Sequence, residues 1–80
     1  MEERTIDQRT IDQIPERIDF TVRFIKSETA RLRESITEEW ERHISYSRLH
    51  AEICMLRFFD FISREEAEIL EHELVSAYVP

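Results

Sequence analysis

The sequence predicts a small all-α protein, a helical bundle of two long helices and a short C-terminal helix behind a flexible N-terminal arm. Three observations support this prediction. The 80-residue chain contains no glycine and no asparagine, and these are the residues that enter left-handed backbone conformations and tight hairpin turns at low cost. Apolar residues recur at three- and four-residue steps, the helical period. Two Ser-x-x-Glu segments are typical of helix starts.

Residues 1–14 are predicted to form the flexible arm, and residues 15–80 the helical bundle domain. The arm holds a tandem repeat, in which the segment from Arg4 to Gln8 recurs without change from Arg9 to Gln13. A five-residue repeat fits neither a helical face nor the two faces of a strand. We therefore expect the arm to be flexible, or to become ordered only against a partner.

The first helix is predicted to begin at Pro15, because proline is tolerated in the first helical turn. Its apolar stripe comprises Ile18, Val22, Ile25, Leu32 and Ile36. Ser35 and Glu38 then match a capping box, which predicts a break and a new helix start. One continuous helix from residue 15 to 62 remains an alternative. We favour the break, since an uncapped helix of that length is uncommon outside coiled coils.

The second helix is predicted to carry two apolar stripes on nearly opposite sides and to reach Ile62. One stripe consists of Trp40, Ile44, Ala51, Cys54, Met55, Phe58 and Ile62. A single hairpin partner cannot cover both sides of such a helix. We therefore predict a homodimer, the commonest oligomer, formed through the other stripe: Leu49, Ile53, Leu56 and Phe59. The cluster of Met55, Phe58, Phe59 and Phe61 is typical of a core.

The third helix is predicted to start at Ser63, where Ser63 and Glu66 form the second capping box directly after an apolar run. Its buried stripe is expected to be Ala67, Leu70, Leu74 and Tyr78. Its remaining surface is strongly acidic, with five glutamates: Glu65, Glu66, Glu68, Glu71 and Glu73. Carboxylates on a rigid helix can occupy an arginine- and lysine-rich groove, so we predict that these five residues bind a partner. The alternative is a solubilising face.

Charge and composition exclude several functional classes. The net charge of −7 argues against direct binding of nucleic acid, which requires a concentrated positive surface. The longest apolar stretch is interrupted by charges and is too short to span a bilayer, so no membrane contact is expected. One cysteine excludes an intramolecular disulfide and fits a reducing compartment, which predicts a cytoplasmic protein.

No metal site or cofactor is predicted. His50 and Cys54 are four residues apart and could share one ion, with His72 as a third ligand from another helix. The paired spacings of common metal motifs are nevertheless absent, and we favour core-edge roles for these residues. An enzyme is not expected either, because glycine-dependent catalytic motifs are missing and a bundle of this size has little room for a pocket.

The sequence therefore indicates a small, acidic, non-enzymatic protein that binds another protein. The specific hypothesis is an inhibitor encoded by a phage or mobile element, similar in type to anti-CRISPR proteins, which blocks a nucleic-acid-handling or defence complex. Its partner would present a basic surface that normally binds nucleic acid. The alternatives are an antitoxin or anti-activator, and a self-assembling helical scaffold or ligand sponge.

Overall fold

The computed structural model describes residues 8–79, with side chains from residue 13 onward. Within that range the chain forms three helices and no strand: α1 at Gln8–Glu34, α2 at Glu39–Phe58 and α3 at Arg64–Tyr78. All three pairs of helices are in contact. The all-α prediction of two long helices and a shorter C-terminal helix is therefore confirmed.

The contacts of one side chain, Arg42, show how the three helices are oriented relative to one another. Arg42, in the first turn of α2, donates hydrogen bonds to carbonyls at the C-terminal ends of α1 and α3. The start of α2 therefore lies beside the ends of both other helices. Consequently α2 is antiparallel to α1 and α3, and the α2–α3 loop lies at the opposite end of the bundle.

The predicted start of the first helix at Pro15 is wrong. Helix α1 already includes Gln8, and Pro15 lies in its interior. Proline removes one helical hydrogen bond, but residues 9–13 contain no glycine or proline, so nothing else in this segment opposes the helix. Residues 8–14, assigned to the arm, thus belong to α1, whereas residues 1–7 lie outside the described range.

The predicted break between the first two helices is confirmed, but its cap is not the predicted one. Helix α2 starts after Glu38, which has an extended backbone and makes no side-chain capping bond. The backbone N–H groups of Ser35 and Ile36 instead bond to the carbonyl of Arg31 and terminate α1. Ile36 is buried, so the chain is anchored there before α2 can begin.

Helix α2 ends at Phe58 rather than at Ile62, through a left-handed residue. Asp60 has φ of 57°, the conformation that glycine normally supplies after a helix. The Phe61 N–H bonds to the Leu56 carbonyl at 2.9 Å, and the Asp60 N–H to the Arg57 carbonyl at 3.1 Å. These two bonds define a Schellman motif. A chain without glycine or asparagine therefore uses aspartate, the next most tolerant residue, at this position.

The predicted start of α3 is confirmed. Ser63 is the N-cap, and its hydroxyl oxygen accepts a 3.1 Å hydrogen bond from the Glu66 backbone N–H. The Ser63 hydroxyl also donates to the Glu66 carboxylate at 3.3 Å. Serine and glutamate three residues apart thus satisfy one of the N–H groups that the first helical turn leaves unpaired.

The core lies between the three helices and corrects the predicted self-association stripe. Leu49, Ile53 and Leu56 are buried within a single chain, with Ile53 only 1% exposed, because α1 and α3 both pack on that side of α2. They are therefore unavailable to a second copy; Phe59 alone of the four is exposed. The other members of the core are Ile25, Leu32, Ile36, Ile62, Ala67, Leu70, Leu74 and Ala77.

None of the helices in residues 8–79 combines the length and apolar character needed to cross a membrane.

Candidate functional site

The outward surface of α3 is the first candidate site. Glu65, Glu68 and Glu73 surround Ile69, and together with His72 they line one shallow depression. Ile69 is 56% exposed although it belongs to a helix with a well-buried opposite side. We call these five residues the acidic face. It places an exposed apolar side chain beside three carboxylates, a combination that resembles the core and rim of a protein interface.

The five glutamates that were predicted to bind a partner do not all belong to the acidic face. The Glu66 carboxylate accepts a 3.3 Å hydrogen bond from the Ser63 hydroxyl, and the Glu71 carboxylate lies 3.1 Å from His50 of α2. Both are committed to contacts within the chain. The partner-binding prediction is therefore narrowed to Glu65, Glu68 and Glu73, which the structure brings together.

The acidic face is not neutralised by the basic first helix. Among residues 13–79, the ion pairs of α1 are internal to it, joining Arg23 to Asp19 and Arg31 to Glu28. The acidic face has one such contact, from Arg64 to Glu68 at 3.1 Å. Both of these side chains are highly exposed, so this pair contributes little. The face consequently retains a net negative charge directed to solvent.

A second candidate site joins α2 to α3, and we call it the His–Cys–Glu cluster. His50 and Cys54 lie one helical turn apart on α2, and Glu71 reaches them from α3. The Cys54 Sγ lies 3.6 Å from the His50 Nε2 and 3.6 Å from the Glu71 Oε1. One donor atom from each residue can be chosen such that all three lie within 4.8 Å of one another. No other such group occurs in the described part of the chain.

His72, which the sequence alone suggested as a third ligand without favouring a metal site, is not part of this cluster. It lies on the acidic face with Glu65 and Glu73, and Glu71, its neighbour in sequence, takes the place beside His50. The one-residue difference moves the side chain by about 100° around the helix. The sequence alone could not place Glu71 rather than His72 beside His50, because the rotation of α3 about its axis depends on core packing.

The cluster does not favour nucleophilic catalysis. Partial desolvation raises the pKa of Cys54, and the charge of Glu71 and the hydrogen bond from the thiol to that carboxylate raise it further. The thiol therefore remains protonated near neutral pH, whereas nucleophilic cysteines have lowered pKa values. The thiol donates to the Glu71 carboxylate at 3.6 Å, and a neighbouring negative charge disfavours the thiolate that a nucleophile requires.

The third candidate site is an aromatic surface at the end of the bundle that holds the α2–α3 loop. It consists of Met55, Phe58, Phe59 and Phe61, with Phe58 80% exposed. The rings are in contact with one another: Phe58 and Phe59 pack edge to face at 5.3 Å, and Phe59 and Phe61 stack at 5.9 Å. The prediction that this cluster belongs to the core is wrong, because α2 ends at Phe58 and the chain turns outward through Asp60.

No family model, no curated protein and no solved structure matches this chain.

The sequence gives no sign of one residue that matters structurally, Arg42. Arg42 is half-buried and donates four hydrogen bonds to main-chain carbonyls, two at each of two helix ends. The sequence contains ten arginines among eleven basic residues, and nothing in the local pattern distinguishes this one. Only its position in the first turn of a helix that packs against two antiparallel neighbours could have indicated it.

Proposed function

We propose that this chain is a non-enzymatic inhibitor that occupies a basic surface of another protein with the acidic face of α3. The observation that supports this most directly is the exposed Ile69 beside three carboxylates, of which only Glu68 has an ion pair among the described residues. A central apolar contact with a charged rim provides affinity at its centre and specificity at its edge.

The charge of the acidic face defines the chemistry of the partner. Glutamates spaced along a rigid helix present carboxylates to arginine and lysine side chains, which otherwise bind phosphates. We therefore propose a partner that handles nucleic acid, such as a host defence complex of the CRISPR type, with the inhibitor encoded by a phage or mobile element. The single thiol, Cys54, fits action in the reducing cytoplasm.

The experiment is a capture assay with charge-matched variants. The tagged chain is used as bait in host lysate, alongside a triple variant of the acidic face, Glu65→Gln, Glu68→Gln and Glu73→Gln. The control carries the same charge change at exposed positions elsewhere: Glu16→Gln, Glu34→Gln and Glu39→Gln. Short duplex DNA is then added to the captured material, since a partner held through its nucleic-acid-binding surface should be displaced by DNA.

The proposal expects one stoichiometric partner, retained by the wild type and by the control but lost with the acidic-face variant, and released by DNA. A partner retained equally by all three baits would contradict a role for the acidic face. A partner that DNA does not displace would favour the alternative of an antitoxin or anti-activator, whose target need not bind nucleic acid. The same assay thus separates the two inhibitor hypotheses.

We also propose that two copies associate through the aromatic surface, in place of the predicted stripe. Four large exposed apolar side chains at a bundle end, with Phe59 in contact with both Phe58 and Phe61, form the kind of exposed patch that marks an interface. Below them, Thr21 of α1, Met55, Phe59 and Phe61 line an apolar groove that also includes Glu52. One carboxylate oxygen of Glu52 is buried with no hydrogen-bond partner among the described residues, as expected of a surface that is completed on association.

The local charges at the aromatic surface favour a second copy as its occupant. Arg57 pairs with Asp60 at 2.9 Å, and Arg48 lies 3.7 Å from Glu52. These opposite charges balance, so two identical surfaces can meet about a twofold axis without the repulsion that two acidic faces would experience. Sedimentation velocity tests this: Phe58→Glu should shift the wild-type dimer to monomer, and a wild type that is monomeric at high concentration would overturn it.

A further inference from the structure

We propose that His50, Cys54 and Glu71 bind one divalent transition-metal ion, with Zn²⁺ the best match, and that the ion joins α2 to α3. This inference is independent of the proposed inhibitor function, which requires no metal. The cluster supplies one nitrogen, one sulfur and one oxygen donor from two helices whose relative position is set by the core.

The spacing of the donor atoms supports the assignment. Two ligands bound to tetrahedral zinc at about 2.0–2.3 Å lie about 3.3–3.6 Å from each other. The Sγ of Cys54 is 3.6 Å from the His50 Nε2 and 3.6 Å from the Glu71 Oε1. The Nδ1 of His50 lies 3.1 Å from the same Glu71 oxygen. These two His50 distances involve different ring nitrogens, but one donor atom from each residue can be chosen such that all three lie within 4.8 Å of one another. Binding of one ion would therefore require the imidazole to reorient toward it.

The identity of the donors selects the class of metal. A thiolate and an imidazole favour zinc and its neighbours among the transition metals, whereas magnesium and calcium prefer oxygen donors only. On binding, Cys54 would coordinate as the thiolate and its proton would pass to solvent. The thiolate and the Glu71 carboxylate then balance the two positive charges of the ion. No uncompensated charge is created between the helices.

The surroundings leave the fourth coordination position to water. The side chains of His50 and Glu71 are 47% and 40% exposed, and an open cavity of about 360 Å³ borders Cys54 and Glu71. Three protein ligands plus a solvent molecule is an established arrangement for zinc. The ion would form the cross-link between α2 and α3 at this site, in addition to the apolar contacts of Ile53 and Ala67 in the adjacent core.

The test is a metal titration of the full chain after removal of bound metal, under reducing conditions, with Co²⁺ as the spectroscopic probe and Zn²⁺ as competitor. The ligand variants are His50→Asn, Cys54→Ser and Glu71→Gln. The matched controls are His72→Asn and Glu73→Gln, which remove the same residue types from the acidic face and do not line the cavity beside Cys54. All five positions are at least partly exposed, and circular dichroism verifies that each variant folds.

The proposal expects one Co²⁺ per chain with the near-ultraviolet absorption of a thiolate–cobalt bond, displaced by one equivalent of Zn²⁺. Each ligand variant should bind at least about tenfold more weakly, and Cys54→Ser should lose the absorption. One equivalent of Zn²⁺ should also raise the urea midpoint of the wild type and of both controls, since a ligand that binds only the folded state stabilises it.

Three results would overturn the proposal. The first is binding that the ligand variants leave unchanged, which would indicate an adventitious ion only, held by surface glutamates. The second is a loss of affinity in His72→Asn as large as in His50→Asn. The third is Co²⁺ bound with no thiolate absorption, which would exclude Cys54 as a ligand.

Discussion

The guanidinium of Arg42 donates a 2.8 Å hydrogen bond to the main-chain carbonyl of Ala77, which lies 35 positions later in the chain. The same side chain reaches the carbonyls of Tyr78 at 3.0 Å and of Leu32 and Ile36 at 2.8 Å. The last carbonyls of a helix lack partners within it and favour a positive charge. One side chain at the start of α2 therefore satisfies the C-terminal ends of both α1 and α3.

Replacing Arg42 should lower the free energy of unfolding by more than is usual for a half-buried polar residue. Arg42→Ala leaves four carbonyls without this donor, and hydrogen bonds to charged groups each contribute about 1.5–3 kcal/mol. Because these bonds share one side chain and some carbonyls regain water, we expect a loss of about 2–3 kcal/mol in the free energy of unfolding. Arg42→Lys should recover only part of it, since lysine lacks the planar fork. Urea denaturation measures both, and an Arg42→Ala change below about 0.5 kcal/mol would refute the assignment.

Asp60 should be replaceable by glycine with a gain in stability. Its φ of 57° costs a residue with a Cβ about 1 kcal/mol, and glycine avoids that cost. Asp60→Gly loses the exposed pair with Arg57, which contributes little. Thermal unfolding should therefore show a higher midpoint for Asp60→Gly and a lower one for Asp60→Val. The opposite order would argue against the Schellman motif at this position.

The two serines of the predicted capping boxes should differ in their contribution to stability. Ser63→Ala removes the hydrogen bond to the Glu66 N–H and should lower the free energy of unfolding by about 1 kcal/mol. Ser35→Ala is the matched control, because Ser35 is exposed and ends α1 through its backbone rather than its side chain. We expect a change within about 0.5 kcal/mol there. Equal losses would mean that Ser35 also caps a helix.

Substitutions on the two apolar sides of α2 should affect different properties: the stability of the monomer on one side and the association of two copies on the other. Ile53→Ala removes a side chain at the centre of the core and should cost about 2–5 kcal/mol. Phe58→Ala, on the aromatic surface, should change the stability of the monomer by less than about 0.5 kcal/mol while weakening association. Chemical denaturation at low protein concentration, combined with sedimentation, separates the two effects. A large loss of monomer stability in Phe58→Ala would instead mean that this ring belongs to the core.

The fold was predictable because its main determinants are local in sequence. The start of α3 follows from the capping box of Ser63 and Glu66 after an apolar run. The break before α2 was predicted in the right place, although the Ser35 and Glu38 side chains do not form the expected cap. The end of α2 was not predictable in the same way, because the signal for it, a left-handed aspartate, is weak compared with glycine. The start of α1 was misplaced because proline is common in the first helical turn, whereas Pro15 lies in the helix interior at the cost of a helical hydrogen bond.

The sites were less predictable because they depend on how each helix is rotated about its axis. The composition of α3 indicated an acidic helix, but only packing determines that Glu71 turns inward to His50 while Glu73 remains on the acidic face. The two apolar stripes of α2 were recognised, yet the sequence did not indicate which of them the other helices would cover. The covered stripe is the one that contains Leu49 and Ile53, and the aromatic surface is left exposed.

The most direct test of the central proposal is the affinity of the captured partner for the wild type, the acidic-face variant and the charge-matched control, measured by calorimetry at low and moderate salt. We expect the variant with Glu65, Glu68 and Glu73 changed to glutamine to bind at least about tenfold more weakly than the control, and the wild-type affinity to fall as salt rises. Equal affinities for the variant and the control would contradict the proposal that the acidic face is the binding site.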